Sequence, residues 1–203
     1  MNMIRSICVY CGSSPGLNEI YMDSGYALGR SIAAAGLRLV YGGGTKGIMG
    51  AVARGAVDGG GQVTGIIPRF LMNKEASENS LGILDDLIIT EDMHQRKHTM
   101  FEKSDAFVAL PGGIGTLEEI IEIMTWAQLG RHRKPMVFAN INGFWNPMLS
   151  LLDHMRGEGF VHTGHLVQPV VVDHAEAIVP AVLADAAASG IRTDGDPKII
   201  DRL

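Results

Sequence analysis

Apolar runs of strand length alternate with amphipathic stretches from the N-terminus to about residue 188. That alternation predicts an α/β fold. The runs at 4–10, 37–41, 62–67, 87–90, 106–110, 136–140 and 170–172 read as strands. Helical patterning fills the chain up to 35 and then 47–59, 92–104, 116–129, 145–158 and the Ala-rich stretch to 188, while the segment before residue 86 reads as irregular. Nothing along the chain resembles a linker, a repeat or a low-complexity segment. The expectation is one domain, 1–188, built on a Rossmann-like, doubly wound parallel sheet, followed by a polar tail at 189–203.

Composition refines this picture. The 46% apolar and 19% charged residues allow one sizeable core. Twenty-six glycines are too many for a helical bundle and follow no collagen-like period, so they mark turns and close backbone approaches. A net charge of −5 argues against a broad nucleic-acid or membrane-surface footprint. The N-terminal apolar run is too short for a signal peptide and no stretch is long enough to cross a membrane, so a cytoplasmic location is expected. Cys8 and Cys11 form a C-x-x-C, but Cys8 falls inside the first strand and not at a helix start, which favours buried or loop thiols over a redox pair.

Strands that end in glycine turns place those turns where ligands bind in such sheets. Gly42-x-Gly44-x-x-Gly47 formally matches a dinucleotide fingerprint, but Ile66-Ile67-Pro68-Arg69 stands where an acidic ribose partner is wanted. The turn Pro111-Gly112-Gly113-Ile114-Gly115-Thr116 follows a strand and opens a helix, so its amides can converge on an anion at the positive end of the helix dipole. A tight turn capped by Thr116 is the plainer alternative.

Two candidate chemical groups flank that turn. Thr116 and Glu119 also fit a capping box. On a helical wheel Leu117, Ile120, Ile121, Met124 and Gln128 share one face, expected to be the core side, with Glu119, Glu122, Ile123 and Trp126 opposite. Carboxylates beside Trp126 and Ile123 predict a covered surface, most economically by a second copy of the chain, which would partly bury Glu119 near the anion turn. In the helix opened by Asp92, the basic pair Arg96 and Lys97 lies on a stripe between Met93 and Met100. Such a pair calls for an anion or carboxylate opposite, or else is a snorkelling, solvated pair. His94 and His98, like His162 and His165, read as solvated side chains, and no metal is expected.

Taken together, Cys11-Gly12-Ser13-Ser14-Pro15-Gly16, Tyr41-Gly42-Gly43-Gly44, Met93-His94-Gln95-Arg96-Lys97 and the run from Pro111 to Glu119 resemble the Lonely Guy family. Its members are cytokinin riboside 5′-monophosphate phosphoribohydrolases, often mislabelled lysine decarboxylases. The resemblance, from about residue 4 to 160, implies a cofactor-free homodimer that hydrolyses the N-glycosidic bond of adenine-type nucleoside 5′-monophosphates, releasing free base and ribose 5-phosphate. It implies catalytic roles for Arg96 and Glu119. It further implies substrate contacts from Glu75, Lys97, Gly112, Gly113, Ile114, Gly115, Thr116 and Thr125, with Glu78 competing for the role of Glu75 because the spacing to Arg96 is longer here. Ile114 stands where plant relatives carry Tyr. The opposing expectation is a non-catalytic carrier of a phosphorylated nucleotide or cofactor. A pyridoxal-dependent decarboxylase would need a Schiff-base Lys with an acidic partner, and no such constellation is legible.

Overall fold

Four strands are buried from end to end, because their apolar residues are covered on both faces of a parallel sheet. They are β1 (Ser6–Tyr10), β3 (Val63–Pro68), β5 (Ala106–Ala109) and β6 (Met136–Ala139). The computed structural model describes residues 4–75, 82, 84–161 and 169–189, with the backbone alone at Asn73 and Glu75. The other elements are α1 (Ile20–Ala34), β2 (Arg38–Tyr41), α2 (Gly47–Asp58), α3 (Met72–Glu75), β4 (Asp86–Thr90), α4 (Met93–Glu102), α5 (Ile114–Gln128), α6 (Asn146–Gly157), β7 (Val170–Val172) and α7 (Ala175–Ser189). Among the described residues the strands form one seven-stranded parallel sheet in the order β4-β3-β2-β1-β5-β6-β7. Its edge strands β4 and β7 are the partly exposed ones.

Alternate residues of β1 feed two cores. Ile7 and Val9 join Leu28 and Ile32 of α1, Val52 of α2 and Ile178 of α7 on one face. Cys8 and Tyr10 join Met100 of α4, Ile120 and Ile123 of α5 and Trp145 before α6 on the other. The α/β reading and nearly every strand and helix therefore agree with the sequence pattern. Two details differ. The segment read as irregular starts with a 3₁₀ turn at Arg69–Leu71 and the short α3, and α5 begins at Ile114 with Gly113 as its N-cap, not at Thr116. The capping box from Thr116 to Glu119 is thereby ruled out.

The core stripe of α5 is also turned from the one expected on its helical wheel: Ile120 is buried as expected, but its buried neighbours are not Leu117 and Ile121. Thr116, Glu119, Ile120 and Ile123 are its buried residues, whereas Leu117 and Ile121 are exposed. Its aliphatic residues span about half of the circumference, a wider arc than the stripe that is buried, so periodicity alone does not choose which part of that arc is core. The choice falls to Thr116, whose hydroxyl occupies the space beside Gly112. Trp126 is half-buried and packs against α4, its ring meeting that of Phe101 at 4.9 Å in a T-shaped contact. His162, His165, Glu78 and the tail from 190 onward lie outside the described residues.

Below α5, His132 is held as a neutral imidazole. Nε2 lies 2.9 Å from Ile123 O and must donate to it, while Nδ1 accepts from Lys134 N at 3.1 Å. Burial lowers its pKa to about 4. Because the folded-state pKa is below the usual 6.5, the unfolded chain binds the extra proton between those two values. Stability should therefore fall as pH drops from about 6.5 to 4, by up to about 3 kcal/mol from this residue. Urea unfolding of wild type and His132→Gln across that range checks this, the variant showing the shallower slope.

Candidate active site

Strand order runs outward from β1 to β4 and then restarts at β5 on the other side of β1, which opens a crevice at their carboxyl ends. The glycine loops after β1, β2 and β5 meet there. Gly12 N donates to Pro111 O at 3.0 Å, and Met49 N in α2 donates to Gly12 O at 3.1 Å. The contact is so close that a Cβ on Gly112 would strike Thr116 Oγ1 and lie 2.8 Å from Gly12 N. Gly113 and Gly115 differ, since a Cβ on either would meet nothing within 4 Å. Their glycines keep the first turn of α5 open, where the leading N–H groups have no intrahelical acceptor and the helix dipole is positive.

Into this crevice α4 and α5 bring opposite charges. Asp92 caps α4 by accepting from Gln95 N at 2.8 Å, which sets the start of the helix and hence the face that carries Arg96. Arg96 and Glu119 are both buried, with Arg96 Nη2 3.8 Å from Glu119 Oε1. Nη2 also donates to Gly42 O at 3.4 Å, and Nη1 lies 3.8 Å from Met93 Sδ. Arg96 Nε is buried and has no hydrogen-bond partner among the described residues. A guanidinium that is buried yet incompletely paired favours an additional acceptor from a ligand. Burial, and after it the Glu119 charge, push up the pKa of both Cys8 and Cys11, Cys8 to about 12. These are protonated core thiols.

The remaining sequence candidates separate into two groups. Gly112 to Thr116 form the open turn, with Ile114 almost fully exposed at its mouth. Lys97 stands beside Arg96, but its ammonium is engaged by Glu118 at 2.7 Å and Glu122 at 3.1 Å. Burial pulls its pKa down, and the two carboxylates outweigh that effect and raise it. Thr125 is not brought to the crevice in the same protomer. Its hydroxyl donates to Ile121 O at 2.8 Å, and it lines a separate cavity of about 410 Å³ between α5, α6 and β7. The backbone of α3 meets the residue that precedes α2, since Lys46 Nζ donates to Lys74 O at 3.4 Å, while the Glu75 side chain is outside the described residues. Sequence reasoning missed Gly42, Glu118 and Glu122 as partners of the basic pair; an i, i+4 pair of carboxylates opposite a buried Lys was the available signal for the last two.

Residues 49–182 match the family described as "Possible lysine decarboxylase". The probable cytokinin riboside 5′-monophosphate phosphoribohydrolase LOGL2 of Oryza sativa subsp. japonica is 48% identical over 157 residues, 77% of this chain and 63% of that protein. Cytokinin riboside 5′-monophosphate phosphoribohydrolase LOG3 of Arabidopsis thaliana is 48% identical over 157 residues, 77% of this chain and 72% of that protein. The chain belongs to the Lonely Guy family. It thus spans a little under two thirds of the rice relative's length. Among solved structures, a molybdenum cofactor binding protein from Rippkaea orientalis superposes with a TM-score of 0.65 at 22% identity, covering 91% of this chain and 98% of that one. The Moco carrier protein of Chlamydomonas reinhardtii gives 0.67 at 22% identity, over 91% and 98%. At that identity the likeness is one of fold.

In this Lonely Guy protein Lys97 braces α4 against α5 one residue from Arg96. Replacing it with Met removes both ion pairs and leaves Glu118 and Glu122 facing each other on one helix. Because Glu118 is half exposed, the expected loss is modest, about 1–2 kcal/mol in urea unfolding. Unchanged stability would show that the brace contributes nothing.

Proposed function

We propose that this chain hydrolyses the N-glycosidic bond of adenine-type nucleoside 5′-monophosphates, cytokinin riboside monophosphates included, to free base and ribose 5-phosphate. The observation that carries the reading is the buried Arg96–Glu119 pair beside an open, glycine-lined helix N-terminus. The strand order with helices on both faces supports reading the sheet as Rossmann-like and doubly wound, with the ligand in its crevice. The Gly112 to Thr116 amides bind the 5′-phosphate, and that remote binding orients the sugar.

Cleaving the bond builds positive charge on the ribose, and water must add at C1′ while the base leaves with the bonding electrons and takes up a proton. Glu119, screened from solvent, faces that charge and accepts the proton of the attacking water. Arg96 faces the departing base and stabilises the negative charge that develops on it. Lys97, Ile114 and Glu75 line the remainder of the substrate, Lys97 by exchanging a carboxylate for a substrate oxygen. Decarboxylation through a Schiff base is disfavoured, because Lys97, the lysine next to Arg96 in the chain, is held by two carboxylates.

The purified protein should release ribose 5-phosphate from AMP or isopentenyladenosine monophosphate in a panel that includes GMP and CMP. Glu119→Gln should keep the fold and nucleotide binding while lowering turnover about 10²- to 10⁴-fold. Binding without release by the wild type would instead identify a carrier.

The protein acts as a homodimer in this reading, and the exposed apolar stripe of α5 supplies its interface. Ile114, Leu117 and Ile121 form an exposed apolar stripe on α5 that leads into the cavity lined by Met124, Thr125 and Leu149. A second copy packed there covers the stripe and brings its own surface against the face that carries Thr125. Leu117→Glu/Ile121→Glu should therefore sediment as a monomer. A dimer that persists in this variant places the interface elsewhere.

A further inference from the structure

Gly42, in the glycine-rich turn after β2, touches the reacting arginine, and its φ does not demand glycine. Gly43 sits at φ +73° and Gly47 at φ +56°, in the left-handed region that favours glycine, whereas Gly42 is not among the positive-φ residues. What excludes a side chain at Gly42 is the Arg96 head group. A Cβ there would strike Nη2 and lie 3.2 Å from both Arg96 Cζ and Met49 Sδ. Nη2 is the same atom that faces Glu119 Oε1 at 3.8 Å and donates to Gly42 O at 3.4 Å. Arg96 is 5% exposed and has Met93 Sδ on its other nitrogen, so it has little room to retreat without leaving Glu119.

We propose that Gly42 is the seat of Arg96, a positioning residue whose absent side chain leaves the volume that the guanidinium fills and whose carbonyl orients it toward Glu119. Gly42, the first glycine of the Gly42-x-Gly44-x-x-Gly47 spacing, then serves an arginine and not a dinucleotide pyrophosphate. The role of Arg96 in this proposal rests on the hydrolase reading above; the seat itself rests on the packing.

The test is a double-mutant cycle of Gly42→Ala and Arg96→Ala, with hydrolysis rate and melting temperature read on each protein. Gly42→Ala alone should lower kcat about 10- to 100-fold, as expected for a displaced reacting group. In the Arg96→Ala background the same change should alter the residual rate less than about twofold, because the group it displaces is gone. An equal loss in both backgrounds, or an unchanged kcat with Arg96 present, overturns the proposal. If Gly42→Ala fails to fold, the seat requires Arg96→Ala to restore folding in the double variant, and a double variant that also fails to fold overturns it. A wild type that releases no ribose 5-phosphate overturns the hydrolase reading separately. The cycle is then read on AMP affinity by calorimetry, where losses that simply add overturn the seat.

Discussion

Arg96 and Glu119 are two opposite charges withdrawn from water at the bottom of one crevice, and the arrangement of the elements around them follows from that. Removing either ion from solvent costs several kcal/mol, and mutual attraction offsets this only with good geometry. Here the approach is 3.8 Å, and Arg96 Nε is left without a partner among the described residues. The pair is held together by what surrounds it more than by its own contact. The reversal of strand order between β1 and β5 creates the crevice. Asp92 sets the start of α4, Thr116 against Gly112 sets α5, and Lys97 spans the two helices with bonds to Glu118 and Glu122.

Three tasks fall to α5, and each occupies a different part of its surface. Its first turn offers unpaired amides at the crevice. Its buried stripe carries Glu119 among Thr116, Ile120 and Ile123, and its outer stripe leaves Leu117 and Ile121 exposed. A helix advances about 100° per residue, so a small error in its rotation exchanges these tasks. Glu119 is shielded by its own chain, so the desolvation that the proposed reaction asks of it does not wait on assembly.

The strands and most helices were legible because parallel strands buried on both faces read as short apolar runs separated by glycine turns. The α4 stripe was legible too: Met93, Arg96, Lys97 and Met100 contrast with polar neighbours, and the structure buries Arg96 and Met100 as that spacing predicts. The α5 stripe was not, since its aliphatic arc is wider than the stripe that is buried and Glu119 lies beyond the edge of that arc. α3 was missed because a four-residue helix carries no usable period.

What the sequence by itself determined was the element order, the glycine turns, and the two charged groups that apolar neighbours would isolate from water. These are properties of residue type and local spacing. Only the tertiary structure decided which stripe of α5 faces inward, that Lys97 is already engaged by Glu118 and Glu122, and that Gly42 makes room for Arg96. The reason is physical: each of these depends on a distance between elements far apart in the chain, such as the contact between Gly42 and a side chain 54 residues on. No local period encodes such a distance.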